Sequence, residues 1–143
     1  MPFRFREDIA TADVAFDAWG RTKEELFTAA AAALLRTMTE GAEEIERRVS
    51  HTINLDHAEL DLLLLDLLNE LIYIKDARRL LLHPDEMHID GREGAYHLVA
   101  RGAGEEIDPS RHKLLVDVKA ATLHRLHVAC DEGIWRATVV LDV

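Results

Sequence analysis

The chain has little cysteine, comparatively few basic residues and no long apolar run, and each shortage excludes a class of protein. Its one cysteine, Cys130, excludes an internal disulfide and fits a reducing compartment. Acidic residues outnumber basic ones, 27 to 17, which gives a formal net charge of −10. Proteins that bind free nucleic acid rely instead on clustered Lys and Arg. We therefore expect no strong direct binding of nucleic acid, and a protein partner that is itself basic fits better.

No segment of the sequence has the properties of a membrane span or a signal peptide. Residues 1–8 lack the apolar core of a signal peptide. The leucine-rich stretch 60–74 is too short to span a bilayer. Its polar interruptions are Asp61, Asp66, Asn69 and Glu70. We expect a cytoplasmic protein that does not associate with membranes.

What the chain does have is enough apolar residues for one domain with a sizeable core. It is 143 residues long and 48% hydrophobic, and no low-complexity linker divides it. We therefore expect a single domain covering residues 1–143. The sequence has no heptad and no obvious dimer seam, so a monomer is expected.

Hydrophobic patterning predicts the order strand, helix, strand, helix and then a meander of strands. Helix 24–38 follows a capping box formed by Thr22 and Glu25, and a second, leucine-rich helix runs from a cap at Asp56 to about residue 75. The predicted strands are 12–19, 45–55, 80–89, 95–101, 114–129 and 134–143. This order predicts an α+β domain in which two helices pack on one face of a mixed, largely antiparallel β-sheet.

Two aspartates, Asp13 and Asp142, lie in otherwise apolar, strand-like runs near the two ends of the chain. If the end strands pair, both carboxylates and the C-terminal carboxylate of Val143 meet, and they repel one another unless a cation is bound. Such hard oxygen ligands favour calcium, magnesium or manganese over zinc or copper. Spacing alone does not show that the aspartates meet, and two solvent-facing residues near strand ends are the alternative.

The sequence contains no recognisable catalytic pattern. It has no phosphate-binding glycine loop, no catalytic triad and no acid/base pair at a familiar spacing. His124 and His127 are three residues apart, but in a predicted strand that spacing places them on opposite faces, which does not suit a zinc site. The loop 108–112 and the following segment 118–124 carry recurring polar groups, which indicates a binding surface, and a turn followed by a half-exposed strand is the alternative. We expect no enzymatic activity.

Taken in order, several segments resemble archease, the small protein that assists the RtcB-type RNA ligase in tRNA splicing. The segments are Thr-Ala-Asp-Val at 11–14, the helix entry at 20–27, the leucine-rich 67–73, then 104–112, Val-Lys-Ala-Ala-Thr-Leu-His at 118–124, and Leu-Asp-Val at 141–143. The chain departs from the family at Ala10, where a histidine is usual, and at Leu123, where an aromatic residue is common.

The resemblance implies that Asp13, Asp142 and Val143 form a metal site, with calcium as the expected ion, and it makes Lys119 a further candidate for activity. It also implies an accessory role in which the protein helps an RtcB-type ligase to become guanylylated and to turn over repeatedly. Two other functions stay open. One is a general protein-binding or chaperone-like module, and the other is a metal-dependent hydrolase using the two aspartates, for which no general base is evident.

Overall fold

The computed structural model describes residues 2–8 and 13–143. Its two α-helices are α1 (Lys23–Met38) and α2 (Leu60–Arg78), and a short 3₁₀ helix covers Ala42–Glu44. The strands are β1 (Phe3–Phe5), β2 (Val14–Gly20), β3 (Thr39–Glu40), β4 (Val49–His57), β5 (Leu80–Arg92), β6 (Ala95–Glu106), β7 (Lys113–Leu114), β8 (Ala120–Asp131) and β9 (Ile134–Asp142). No helix in these ranges is long and apolar enough to cross a membrane.

The strands pair in antiparallel ladders. One sheet has the order β1-β2-β9-β8, a second has the order β4-β6-β5, and β3 pairs with β7. The predicted α+β class, with two helices and largely antiparallel strands, is confirmed. The division of the strands between separate sheets is a further feature, which the local hydrophobic pattern did not indicate.

Both helices lie against both of the larger sheets. Helix α1 contacts β2 of the four-stranded sheet and β5 of the three-stranded sheet, while α2 contacts β8 and β4 in the same way. The apolar side chains of the helices are therefore removed from water on several sides. Those with essentially no exposed surface are Leu26, Phe27, Leu34, Leu63, Leu64, Leu67 and Leu68. Burial of this kind is the main favourable term in the stability of the fold.

The sequence signals predicted the start of one helix correctly and the start of the other wrongly. The Thr22 hydroxyl accepts a hydrogen bond from the Glu25 N–H (3.0 Å), and the Glu25 carboxylate accepts one from the Arg21 N–H (2.6 Å). The predicted start of α1 is therefore confirmed. The predicted cap of α2 at Asp56 is wrong, because β4 continues to His57 and the helix begins at Leu60.

Strand β8 lies at the edge of its sheet, so its outward-facing backbone groups need partners other than a strand. The side-chain amide of Asn69, on α2, supplies two of them. Its Nδ2 donates to the Ala121 carbonyl (3.2 Å), and its Oδ1 accepts from the Ala121 N–H (2.8 Å). The long strand predicted at 114–129 is divided, since 113–114 pairs with β3 and β8 starts only at Ala120.

A carboxylate that is 5% exposed, Glu105, joins the loop 108–112 to the segment before β4. It accepts hydrogen bonds from Arg111 Nη1 (2.8 Å), His112 Nε2 (2.6 Å) and the Glu46 N–H (3.3 Å). The Asp108 carboxylate is likewise used within the loop, because it accepts from both the N–H and the hydroxyl of Ser110. These contacts give the polar residues of the loop a structural role.

Replacing Asn69 by Ala tests the link between α2 and β8. The Ala121 N–H and carbonyl would both lose their partner, so we expect the free energy of unfolding to fall by about 2 kcal/mol. Chemical denaturation monitored by circular dichroism measures this change. The control is Glu70→Ala on the same helix, since Glu70 forms no side-chain hydrogen bond with a described residue. Equal losses in the two variants would contradict the bridging role of Asn69.

Glu105→Gln tests whether the negative charge of Glu105 stabilises the fold through its contacts with Arg111 and His112. Hydrogen bonding from Arg111, which outweighs the opposing effect of burial, lowers the pKa of Glu105 from 4.5 to about 2. A carboxyl group whose pKa is lower in the folded state than in the unfolded state stabilises the fold. This contribution is complete at a pH above the pKa of the unfolded state, and it is lost as the pH falls through the pKa of the folded state. We therefore expect wild type to melt above Glu105→Gln at pH 7 and the difference to shrink between pH 4.5 and about 2.

Thermal unfolding across this pH range measures the difference, with Glu93→Gln in the exposed β5–β6 turn as the matched control. A gap between wild type and Glu105→Gln that stays constant with pH would show that the ionised carboxylate is not the stabilising form.

Candidate functional site

The candidate site lies where β2 begins and β9 ends. These strands pair antiparallel, and the first residue pair is Val14 with Leu141. Asp13 directly precedes Val14 and Asp142 directly follows Leu141, so the two aspartates lie at the same end of the sheet. Both are exposed to solvent. The structure shows that these two strands pair, which the sequence argument stated only as a condition.

Apolar side chains on the inner face set the register of this pair. Phe16 and Ala18 on β2, and Val139 and Leu141 on β9, have no exposed surface. A shift of one residue would turn each of them out of the core, because side chains alternate between the faces of a strand. The same register brings Asp13 and Asp142 to one end of the sheet, so the core determines where the aspartates lie.

Lys119 and Val143 belong to the same end of the sheet. The Lys119 N–H donates to the Asp142 carbonyl oxygen (2.8 Å), just before Ala120 pairs with Asp142. Lys119 is exposed, while Val143 is half-buried and packs against the hydrophobic core. The backbone therefore brings Asp13, Asp142, Val143 and Lys119 together. Residues 9–12, which include Ala10 and the start of the Thr-Ala-Asp segment, lie outside the described residues.

Helix α2 holds the connecting segment just before β8, next to this site, through a buried lysine that sequence reasoning missed. Lys75 is 7% exposed, and its Nζ donates to the Asp117 carboxylate (2.8 Å) and to the Val118 carbonyl (2.9 Å). The hydrogen bond from Lys75 is the main cause that lowers the pKa of Asp117 below its ordinary value. With Asn69 bound to Ala121, two side chains of α2 support the chain on either side of Lys119. The sequence gives no specific signal for them, because Asn69 and Lys75 are two of several polar residues in a leucine-rich helix.

The oxygen atoms at this end of the sheet restrict which cation could bind. Within residues 2–8 and 13–143, no three Asp, Glu, His or Cys side chains lie close enough together to hold a metal ion. Asp13 and Asp142 offer two exposed carboxylates, so main-chain oxygens, water or a partner would have to complete the coordination shell of any cation that bound there. Calcium takes 6–8 oxygen ligands in flexible geometry, so an exposed carboxylate pair fits it better than it fits zinc.

Comparison with known proteins gives a consistent result along the whole chain. The model of the Archease protein family (MTH1598/TM1083) matches residues 3–143. Protein archease of Pyrococcus furiosus is 33% identical over 134 residues, covering 93% of this chain and 94% of the relative. Protein archease of Methanothermobacter thermautotrophicus is 37% identical over 138 residues, with the same coverage of 93% and 94%.

Solved structures agree with these matches. The solution structure of Methanobacterium thermoautotrophicum protein 1598 superposes with a TM-score of 0.86 at 31% identity, covering 99% of each chain. A crystal structure of an archease, described as a possible chaperone, from Thermotoga maritima has a TM-score of 0.62 at 21% identity over 96% of each chain. The latter shows a shared fold alone. From the family match over residues 3–143 and the relatives above 30% identity, the chain belongs to the archease family.

Proposed function

We propose that this protein is a non-catalytic accessory protein that activates an RtcB-type RNA ligase in tRNA splicing and RNA repair. In this role it promotes guanylylation of the ligase and multiple turnover. Membership of the archease family supports the assignment. The single observation that carries it is the β2–β9 register, which gathers Asp13, Asp142, Val143 and Lys119 at one exposed end of the sheet.

The charge of the molecule supports a protein partner with a positively charged surface. At a formal net charge of −10, the whole chain is attracted to a basic surface, and the attraction speeds encounter. We propose that the acidic end of the sheet docks at the active-site mouth of the ligase, where RNA phosphates or GTP and manganese would otherwise bind. Lys119 is exposed at the same end of the sheet, and we propose that it meets an acidic group of the ligase.

We further propose that Asp13, Asp142 and Val143 bind calcium, or another divalent cation, at this end of the sheet. A bound cation would neutralise the carboxylates and offer open coordination positions to oxygen atoms of a partner. Helix α2 would hold the neighbouring segment still through Lys75 and Asn69, so that the ligands need little rearrangement when the ion binds.

A general protein-binding or chaperone-like role is the second candidate, and one observation favours it. Three consecutive apolar residues, the last of β7 and the first two of the connection to β8, are exposed. They are Leu114 at 45%, Leu115 at 51% and Val116 at 36%. Apolar surface of this kind suits a protein interface. The aspartate variants described next separate the two candidates, because a general apolar binder would not depend on single carboxylates.

The ligase-activating role predicts that Asp13→Asn and Asp142→Asn each abolish stimulation while the fold is kept. Both residues are exposed, so neutralising them removes a charged contact without opening the core. We expect the multiple-turnover ligation rate, measured with the RtcB-type ligase of the same organism and substoichiometric protein, to fall about tenfold or more. Melting temperatures should match that of wild type.

The matched control is Asp131→Asn, which removes the same charge from an exposed aspartate at the end of β8, where Asp131 pairs with Ile134 at the opposite end of the sheet. This variant should stimulate the ligase normally. Normal stimulation by either site variant would show that the acidic end is not required to activate the ligase. An equal loss in Asp131→Asn would assign the effect to net charge alone.

The metal proposal predicts that wild type binds calcium and that Asp13→Asn and Asp142→Asn bind it about tenfold more weakly or worse, since each removes a charged ligand. Isothermal titration calorimetry with calcium chloride measures the affinity, and Asp131→Asn again serves as control. Equal and negligible heats in wild type and both site variants would overturn the metal site while leaving the accessory role to be judged by ligation.

A further inference from the structure

A second charged feature, opposite in sign to the acidic end, lies on the solvent face of the four-stranded sheet. A cavity of about 430 Å³ opens there between side chains of β2, β8, β9 and the N-terminal segment. Three arginines line it, Arg4, Arg6 and Arg136, together with His127 and a single carboxylate, Asp17. In a chain with a net charge of −10, such a local excess of basic groups is unusual.

Strand register explains why these groups share one face. Asp17 pairs with Arg4 on one side and with Thr138 on the other, and Thr138 in turn pairs with His127. Residues directly opposite each other in antiparallel strands point to the same face. Trp19 and Arg136 form the next cross-strand pair on the same face, two residues along each strand from Asp17 and Thr138, and both border the cavity.

The three arginines differ in how fully they are paired with carboxylates inside the protein. Arg6 donates to Asp17 (2.9 Å) and makes two further bonds to Asp8 (2.8 Å each), so it is paired on both sides. Arg4 makes one longer contact, from Nε to Asp17 (3.3 Å), which leaves both of its terminal nitrogens without a contact to that carboxylate. Arg136 forms no ion pair and no side-chain hydrogen bond with any residue of 2–8 or 13–143.

The one acidic group in the cavity does not cancel the remaining charge. Asp17 accepts from the Thr138 hydroxyl (2.8 Å) as well as from Arg6. Although its burial acts in the opposite direction, these hydrogen bonds hold the pKa of Asp17 below its ordinary value. Asp17 and Arg6 thus tie β1, β2 and β9 together, and the guanidinium groups of Arg136 and Arg4 are left facing the cavity.

We propose that this cavity binds the phosphate group of a small phosphorylated molecule or free phosphate, with Arg136 and Arg4 as its main donors. Guanidinium groups present paired N–H donors that match phosphate oxygens. A small anion fits better than a nucleic-acid strand, because the overall charge of −10 repels a long polyanion while the local arginines attract a compact one. The Trp19 ring at the border offers an apolar surface to an organic substituent.

The cavity is separate from the acidic end of the sheet. Thr138, in the cavity, lies four residues before Asp142 on β9, which is about 13 Å at roughly 3.3 Å per residue. The proposed phosphate site does not depend on the ligase-activating role. Each can fail without the other.

The test is isothermal titration calorimetry with inorganic phosphate, AMP and adenosine in a low-chloride buffer. We expect wild type to bind phosphate and AMP but not adenosine, and Arg136→Gln to bind about tenfold more weakly or worse, since it removes a charge-assisted contact. Arg4→Gln should weaken binding as well. Arg92→Gln, an exposed arginine of the other sheet, is the matched control and should bind like wild type.

Several results would overturn the proposal. They are an absence of heat with phosphate and AMP in wild type, equal affinities of wild type and Arg136→Gln, an equal loss in Arg92→Gln, and adenosine binding as tightly as AMP. Tighter binding of AMP than of phosphate would support a phosphorylated organic ligand, and equal binding would support free phosphate. Circular dichroism and melting temperatures check that each variant is folded.

Discussion

The antiparallel pairing of β2 with β9 is the interaction on which the rest of the structure depends. It joins residues near the two ends of the chain, and the buried side chains of Phe16, Ala18, Val139 and Leu141 set its register. That register has two consequences. It brings Asp13 and Asp142 to one end of the sheet, and it aligns Asp17 with Thr138 in the cavity on the outer face.

The four-stranded sheet therefore carries charge of opposite sign in two places, an acidic end and a basic cavity. Two polar side chains of the largely apolar helix α2 hold the chain next to the acidic end in place. Asn69 satisfies the edge of β8, and Lys75 holds the chain just before Lys119. Both contacts place polar groups in largely buried surroundings, which is tolerated because each is hydrogen-bonded.

Much of the secondary structure could be predicted because it depends on local patterns. Helix α1, predicted at 24–38, runs from Lys23 to Met38, since an Ala- and Leu-rich segment after a capping box needs no distant contact to be recognised. Strand β9, predicted at 134–143, covers Ile134–Asp142. The three-residue strand β1 was missed, because so short a segment becomes a strand only by pairing with β2.

The sequence by itself determined the fold class, the two helices, the acidic balance of charge and the identity of Asp13, Asp142, Val143 and Lys119 as candidates. Only the tertiary structure decided that the end strands pair, that α2 supports the segment next to Lys119, and that basic residues from several strands surround one cavity. The physical reason is that a helix or a turn is specified by neighbours in the chain. Strand register and the meeting of distant charges arise from packing between segments far apart in sequence.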